Sequence, residues 1–154
     1  NKDYTLKEIQ KRKEDFKKYI LPQSERADVI FKILSTKDSL SKDKDLDIEN
    51  VELKLRVIIK SCPYYNELAS VLTEECNLSI SIKDIDEIGT VEIEISGEVQ
   101  REDIRKSSEI LAPQMTELID IKNGFSKGIL GVMELITLVE INNDVRSKRR
   151  GRFS

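Results

Sequence analysis

The amino-acid sequence predicts an α+β protein in which helices cover one face of an antiparallel β-sheet. Three segments alternate apolar and polar residues with a period of two, which is typical of half-buried strands: 51–60, 78–85 and 90–99. Segments with helical periodicity separate and follow these strands. The order β-α-β-β-α, with an optional last strand, predicts a ferredoxin-like sheet (βαββα or βαββαβ).

Residues 1–35 predict an N-terminal pair of helices that forms a hairpin. The first helix carries its apolar residues on one face: Leu6, Ile9, Phe16 and Ile20. Pro22 should end this helix, because the residue before a proline resists helical geometry. A second helix is expected over 25–34, "ERADVIFKIL", with Ser24 as its N-cap.

Changes in composition along the chain predict three further segments. Residues 36–48 are polar and low in complexity, which indicates a flexible linker after the helical pair. Residues 49–144 form the predicted α+β domain, including its C-terminal helix. Residues 145–154, "VRSKRRGRFS", predict a basic, disordered tail.

Within the α+β domain, the second and third strands predict a hairpin. Asp86 to Gly89, "DEIG", lies between the two alternating runs and is expected to form the turn. Helices are expected after Pro63 and over 100–111. Residues 117–122 fit either a continuation of that helix beyond Pro113 or a fourth strand.

The last helix, from Ser126 to about Asn142, is apolar almost all round, which predicts burial on several sides. One interpretation is a core helix packed on the sheet. The other is a subunit interface, in which Gly128 and Gly131 allow close approach. The candidate self-association residues are Ile129, Val132, Met133, Leu135, Ile136 and Val139. The helix is too short for a membrane span of about 20 apolar residues, so no membrane partner is predicted.

Charge is divided unevenly along the chain. The last ten residues hold five cations and no acid, whereas the other 144 hold 21 cations and 29 acids. Such a tail can supply sequence-independent contacts to phosphates, or it can contact the acidic body. The candidate polyanion contacts are Arg146, Lys148, Arg149, Arg150 and Arg152.

The residue types needed for several other functions are absent from the sequence. There is no histidine, which removes the commonest general base and metal ligand near neutral pH. The three predicted strands hold no Phe, Tyr or Trp on which RNA bases could stack. Asp43, Asp45 and Asp47 begin like a calcium loop, but Ile48 and Lys54 replace the required Gly and Glu. No catalytic residue, metal site or cofactor is predicted.

The two cysteines indicate a compartment. Cys62 and Cys76 are predicted to lie at opposite ends of one helix, about 21 Å apart at 1.5 Å per residue. A disulfide requires Cα atoms within about 7 Å. Free thiols are therefore expected, in a reducing, cytoplasmic setting.

These features together predict a non-catalytic intracellular regulatory or assembly subunit. It is expected to act through protein–protein association, as a homo-oligomer or with another protein. The alternative is a nucleic-acid-associated factor that uses the basic tail. An enzyme of unknown class is the third possibility.

Overall fold

The computed structural model describes residues 2–35, 53–118 and 124–151, and these confirm an α+β protein. The strands are β1 (Val29–Ser35), β2 (Leu53–Ile59), β3 (Ser79–Asp84) and β4 (Val91–Ser96). The helices are α1 (Lys2–Asp15), α2 (Leu21–Arg26), α3 (Tyr65–Glu74), α4 (Arg101–Leu111) and α5 (Gly128–Gly151). A π-helical segment, Phe16–Ile20, joins α1 to α2, and a 3₁₀ helix, Pro113–Leu118, follows α4.

The four strands lie in the order β1-β2-β4-β3, and all neighbours are antiparallel. Strand β4 lies between β2 and β3. The outer strand beside β2 is β1, which precedes it in the chain. In the βαββαβ pattern the fourth strand instead follows the second helix. Among the described residues, no strand follows α4.

One face of the sheet forms the core. On β2 and β4, alternate side chains are almost completely buried: Leu55, Val57, Ile59, Val91, Ile93 and Ile95. Buried side chains of α3, α4 and α5 join the same cluster, which places these helices on this face. On the opposite face, Arg56 of β2 contacts two acids of β4, with nitrogen–oxygen distances of 3.8 Å to Glu92 and 3.3 Å to Glu94.

The prediction of a second helix over 25–34 is wrong, because residues 29–35 form strand β1. The run "VIFKILS" contains β-branched and aromatic residues that suit a strand. Short apolar runs fit helical and extended periods equally well, and here pairing with β2 decides the conformation. Since β1 belongs to the sheet, residues 1–35 are not a separate helical unit. The predicted linker, 36–48, lies outside the described residues.

The predicted helix end at Pro22 is also wrong, because helical structure continues to Arg26. The N–H of Leu21 donates to the carbonyl of Phe16, five residues earlier, in the π-type pattern. Pro22 then occupies the first turn of α2, where a backbone N–H is not needed. Residues 2–26 are called the N-terminal helix below.

The expectation of a disordered tail is wrong as far as Gly151, because α5 is helical throughout 128–151. An ion pair between Asp144 and Lys148 spans one helical turn, and cations near a helix C-terminus interact favourably with its dipole. Of the ambiguous segment 117–122, residues up to Leu118 belong to the 3₁₀ helix. Residues 119–123 and 152–154 lie outside the described residues.

Replacing Gly89 by valine should lower the free energy of unfolding by about 1 kcal/mol or more. Gly89 has the expected turn position, with φ of +84°, and a β-branched residue rarely adopts this conformation. Space does not limit the substitution, because the nearest atom to an added Cβ is 3.9 Å away. Urea denaturation should show that Gly89→Asn loses less stability than Gly89→Val, since asparagine tolerates positive φ.

Candidate functional site

Most of the candidate self-association residues lie inside the protein. Four are at most 1% exposed: Val132, Leu135, Ile136 and Val139. Ile129 and Met133 are half-buried against the same core. Buried side chains cannot meet another subunit without unfolding, so these four positions support the core interpretation of α5 rather than the interface.

The glycines of α5 serve contacts within the chain. Gly131 is buried, and a Cβ there would overlap the carbonyl oxygen of Ser126 and lie 2.5 Å from Cδ1 of Ile104. The close approach predicted for this position is therefore made by α4 and by the segment before α5. Gly128 has φ of +71° at the first position of α5.

The candidate polyanion contacts extend along the exposed end of α5. Arg146, Lys148, Arg149 and Arg150 are exposed, whereas Arg152 lies outside the described residues. Lys148 Nζ is 2.8 Å from Asp144 Oδ2, so its charge is partly neutralised. Arg146 and Arg150 lie one turn apart and line a cleft.

This cleft, with a volume of about 410 Å³, lies between α5, the start of β1 and the loop after β2. Three of its side chains are acidic and three are basic: Asp28, Glu140, Asp144, Lys60, Arg146 and Arg150. Tyr64 also lines the cleft, and its buried hydroxyl has no hydrogen-bond partner among the described residues. This cleft could not be predicted from the sequence, because its residues come from three distant segments.

Glu140 has the most perturbed carboxyl group of the cleft. Burial raises its pKa from 4.5 to about 7, and the negative charges of Asp28 and Asp144 add to this shift. A carboxyl group with such a pKa exchanges a proton near neutral pH.

Both cysteines are free, as predicted, and both are buried. Burial, helped by the charge of Glu140, raises the pKa of the Cys62 thiol to about 12. Burial also raises the pKa of Cys76, although a contact of 3.2 Å with the Ser107 hydroxyl opposes the shift. Because the thiolate is the reactive form, neither cysteine is an activated nucleophile.

The described ranges contain neither a metal-binding cluster nor a membrane-spanning helix. In 2–35, 53–118 and 124–151, no three Cys, Asp or Glu side chains lie close enough together to hold a metal ion. None of the helices in these ranges is both long and apolar enough to cross a membrane.

The N-terminal helix carries a largely exposed apolar surface. Its apolar side chains are about half exposed or more: Leu6, Ile9, Phe16, Tyr19, Ile20 and Leu21. Six residues line a shallow groove along it, called the helix groove below: Ile9, Arg12, Lys13, Phe16, Lys17 and Leu21. In the sequence, the only indication of this surface is the set of cations that border the apolar face of the helix.

Comparison with known proteins gives no relative for this chain. No protein-family model, no curated protein and no solved structure matches it.

Replacing Glu140 by glutamine should flatten the dependence of stability on pH. In the folded protein this carboxyl keeps its proton up to about pH 7, whereas the unfolded chain loses it near the ordinary value of 4.5. The folded state therefore binds more protons between these values, and stability falls as pH rises through this window. Glu140→Gln removes this loss of stability. At pH 8 it should therefore have lost less of its pH 4 stability than the wild type.

Urea midpoints measured from pH 4 to pH 8 test this prediction. The exposed substitution Glu98→Gln is the control and should keep the wild-type profile. Parallel profiles for Glu140→Gln and the wild type would show that Glu140 titrates normally.

Proposed function

We propose that this protein is a non-catalytic assembly or regulatory subunit that acts by self-association. The observation that carries the proposal is the exposed apolar face of the N-terminal helix. From Thr5 to Arg26 every side chain is exposed except Glu8 and Ser24, which are half-buried. Since helices in proteins owe most of their stability to tertiary packing, this helix needs a partner surface.

The non-catalytic part of the proposal is supported by the composition of the cleft. Glu140 could act as a base near neutral pH, but the neighbouring Cys62 thiol is protonated and the chain contains no histidine. Three cations and three acids line the cleft together. Their charges balance, so the cleft does not favour a ligand of either sign.

Light scattering over a wide range of protein concentration tests the proposal. The mass should rise from monomer to dimer, and helicity measured by circular dichroism should rise with it. Phe16→Ser/Ile20→Ser should shift both transitions to higher concentration. A monomer mass at every concentration would contradict self-association.

The second candidate function is binding to nucleic acid or another polyanion through the end of α5. It is favoured by Arg146, Arg149 and Arg150, which lie on α5. Within the described residues, no ion pair joins these arginines to an acid. Binding should appear as salt-sensitive retention on a polyanion resin. Arg149→Ser/Arg150→Ser should reduce this retention without changing the dimer.

We further propose a cytoplasmic setting and a ferredoxin-like origin for the sheet. Two free thiols, Cys62 and Cys76, favour a reducing compartment. The strand order β2-β4-β3, with α3 and α4 on one face, is compatible with the βαββα pattern. Strand β1 then fills the edge beside β2 that the fourth strand holds in βαββαβ.

A further inference from the structure

The helix groove combines apolar walls with positive charge only. Its apolar members are Ile9, Phe16 and Leu21, and its charged members are Arg12, Lys13 and Lys17. Glu14 and Asp15 belong to the same stretch but do not line it. The surface that fits this groove must therefore present apolar side chains surrounded by negative charge.

The turn between β3 and β4 presents such a surface. In residues 84–88, called the hairpin tip, Ile85 is 48% and Ile88 79% exposed. The remaining three residues are acids: Asp84, Asp86 and Glu87. The tip therefore offers two exposed isoleucines beside three acids, which complement the apolar and cationic side chains of the helix groove.

The hairpin tip is held in one conformation before any contact is made. Asp86 Oδ1 accepts hydrogen bonds from the N–H groups of Ile88, at 3.1 Å, and Thr90, at 2.9 Å. A side-chain hydrogen bond from Thr90, together with the backbone bonds from Thr90 and Ile88, holds the pKa of the Asp86 carboxyl below its ordinary range. The tip therefore stays charged and presents Ile88 outward. Because its backbone is already held, binding costs little further conformational entropy in this loop.

The tip and the C-terminal end of the N-terminal helix, which carries the groove, lie at the same end of the sheet. The N–H of Cys62, after β2, donates to the carbonyl of Gly89 beside the tip. The N–H of Lys60 donates to the carbonyl of Asp28, and its Nζ donates to the carbonyl of Glu25 in the N-terminal helix. Both surfaces nevertheless remain exposed within one chain.

We propose that the helix groove of one copy binds the hairpin tip of a second copy, and that the second groove binds the first tip. Because each copy offers one groove and one tip, a two-fold axis allows both contacts to form at once and closes the dimer. Ile85 and Ile88 cover the apolar wall, and the three acids face Arg12, Lys13 and Lys17. This inference rests on the proposed self-association and names its surfaces.

Charge reversal on each side tests the pairing. The groove variant is Arg12→Glu/Lys13→Glu, and the tip variant is Asp84→Lys/Glu87→Lys, which spares the turn bonds of Asp86. Each should raise the dimer dissociation constant by about tenfold or more, since like charges then oppose each other. The wild-type dimer should also weaken as salt is added.

Mixing the two variants provides the decisive measurement. In a mixed dimer the reversed groove meets the reversed tip, while the unchanged groove meets the unchanged tip. An equal mixture should therefore dimerise as tightly as the wild type, although each variant alone does not. Light scattering and circular dichroism of all samples separate loss of association from loss of folding.

Matched controls carry the same charge changes elsewhere. Lys7→Glu/Lys11→Glu alters the same helix outside the groove, and Glu75→Lys/Glu98→Lys alters the body away from the tip. Both should dimerise like the wild type. A wild-type dimer that neither variant weakens, or a mixture that fails to recover, would overturn this pairing and leave self-association through another surface. A wild-type monomer at every concentration would overturn the proposed function itself.

Discussion

Replacing Gly131 by alanine should destabilise the fold by about 3 kcal/mol, close to the upper end of what overpacking a core costs. The new Cβ would overlap the carbonyl oxygen of Ser126 and lie 2.9 Å from its carbonyl carbon. It would also lie 2.5 Å from Cδ1 of Ile104. Neither distance is found for real Cβ atoms, so part of the structure must move.

The surroundings of Gly131 resist this movement. Glu134 accepts hydrogen bonds from the N–H and the hydroxyl of Ser126, at 2.8 and 2.9 Å, which fix the obstructing backbone. Ile104 is fully buried on α4, and its end can move only into occupied space. Relief would require α5 to shift away from α4.

Gly151→Ala on the same helix is the matched control. No atom lies within 4 Å of a Cβ at this position, and alanine is favoured over glycine in helices by about 1 kcal/mol. The control should be equal to the wild type or slightly more stable in urea denaturation. Equal midpoints for Gly131→Ala and the wild type would mean that α5 is not seated against Ser126.

Leu135→Asp should prevent cooperative folding. Leu135 is fully buried in the cluster between α5 and the sheet. An aspartate there either keeps an unpaired charge, which is strongly unfavourable in an apolar site, or takes up a proton and still leaves polar atoms unsatisfied. The lost leucine packing adds about 2 to 5 kcal/mol, which is comparable to the whole stability of a small domain.

Leu130→Asp, five residues earlier on α5, is the control because Leu130 is 57% exposed. It should keep the wild-type circular dichroism spectrum, whereas Leu135→Asp should lose it and show no thermal transition. If Leu135→Asp stays folded but changes its mass, the interface interpretation of α5 would return. If it stays folded with unchanged mass, α5 would be an exposed surface.

The sheet was predictable where burial is one-sided. In β2 and β4, one face meets the core and the other carries charges, so the period of two is visible in the sequence. The turn at Gly89 was predictable because it interrupts two such runs. Strand β1 was not, because both of its faces are largely apolar and the pairing with β2 that fixes it is not local.

The candidate site was less predictable than the fold. The apolar pattern of α5 predicts burial, and Leu135 and Val139 are indeed buried, but a pattern does not say whether the covering surface belongs to the same chain. The cleft depends on Asp28, Lys60 and Glu140, which come from the start of β1, the end of β2 and α5, and which meet only in the folded chain. Helical spacing placed Phe16 on an apolar face, yet it could not show that this face stays exposed.

Strand β1 also determines how the chain can be shortened. In a fragment that begins after the predicted linker, at residue 49, strand β2 would become an edge strand. The backbone groups of its seven residues, "LKLRVII", would then lose their hydrogen-bond partners in β1. Long apolar edges without proline recruit other chains into continuous sheets. Proteolysis or truncation between 36 and 48 should therefore yield an aggregating product rather than a smaller stable domain.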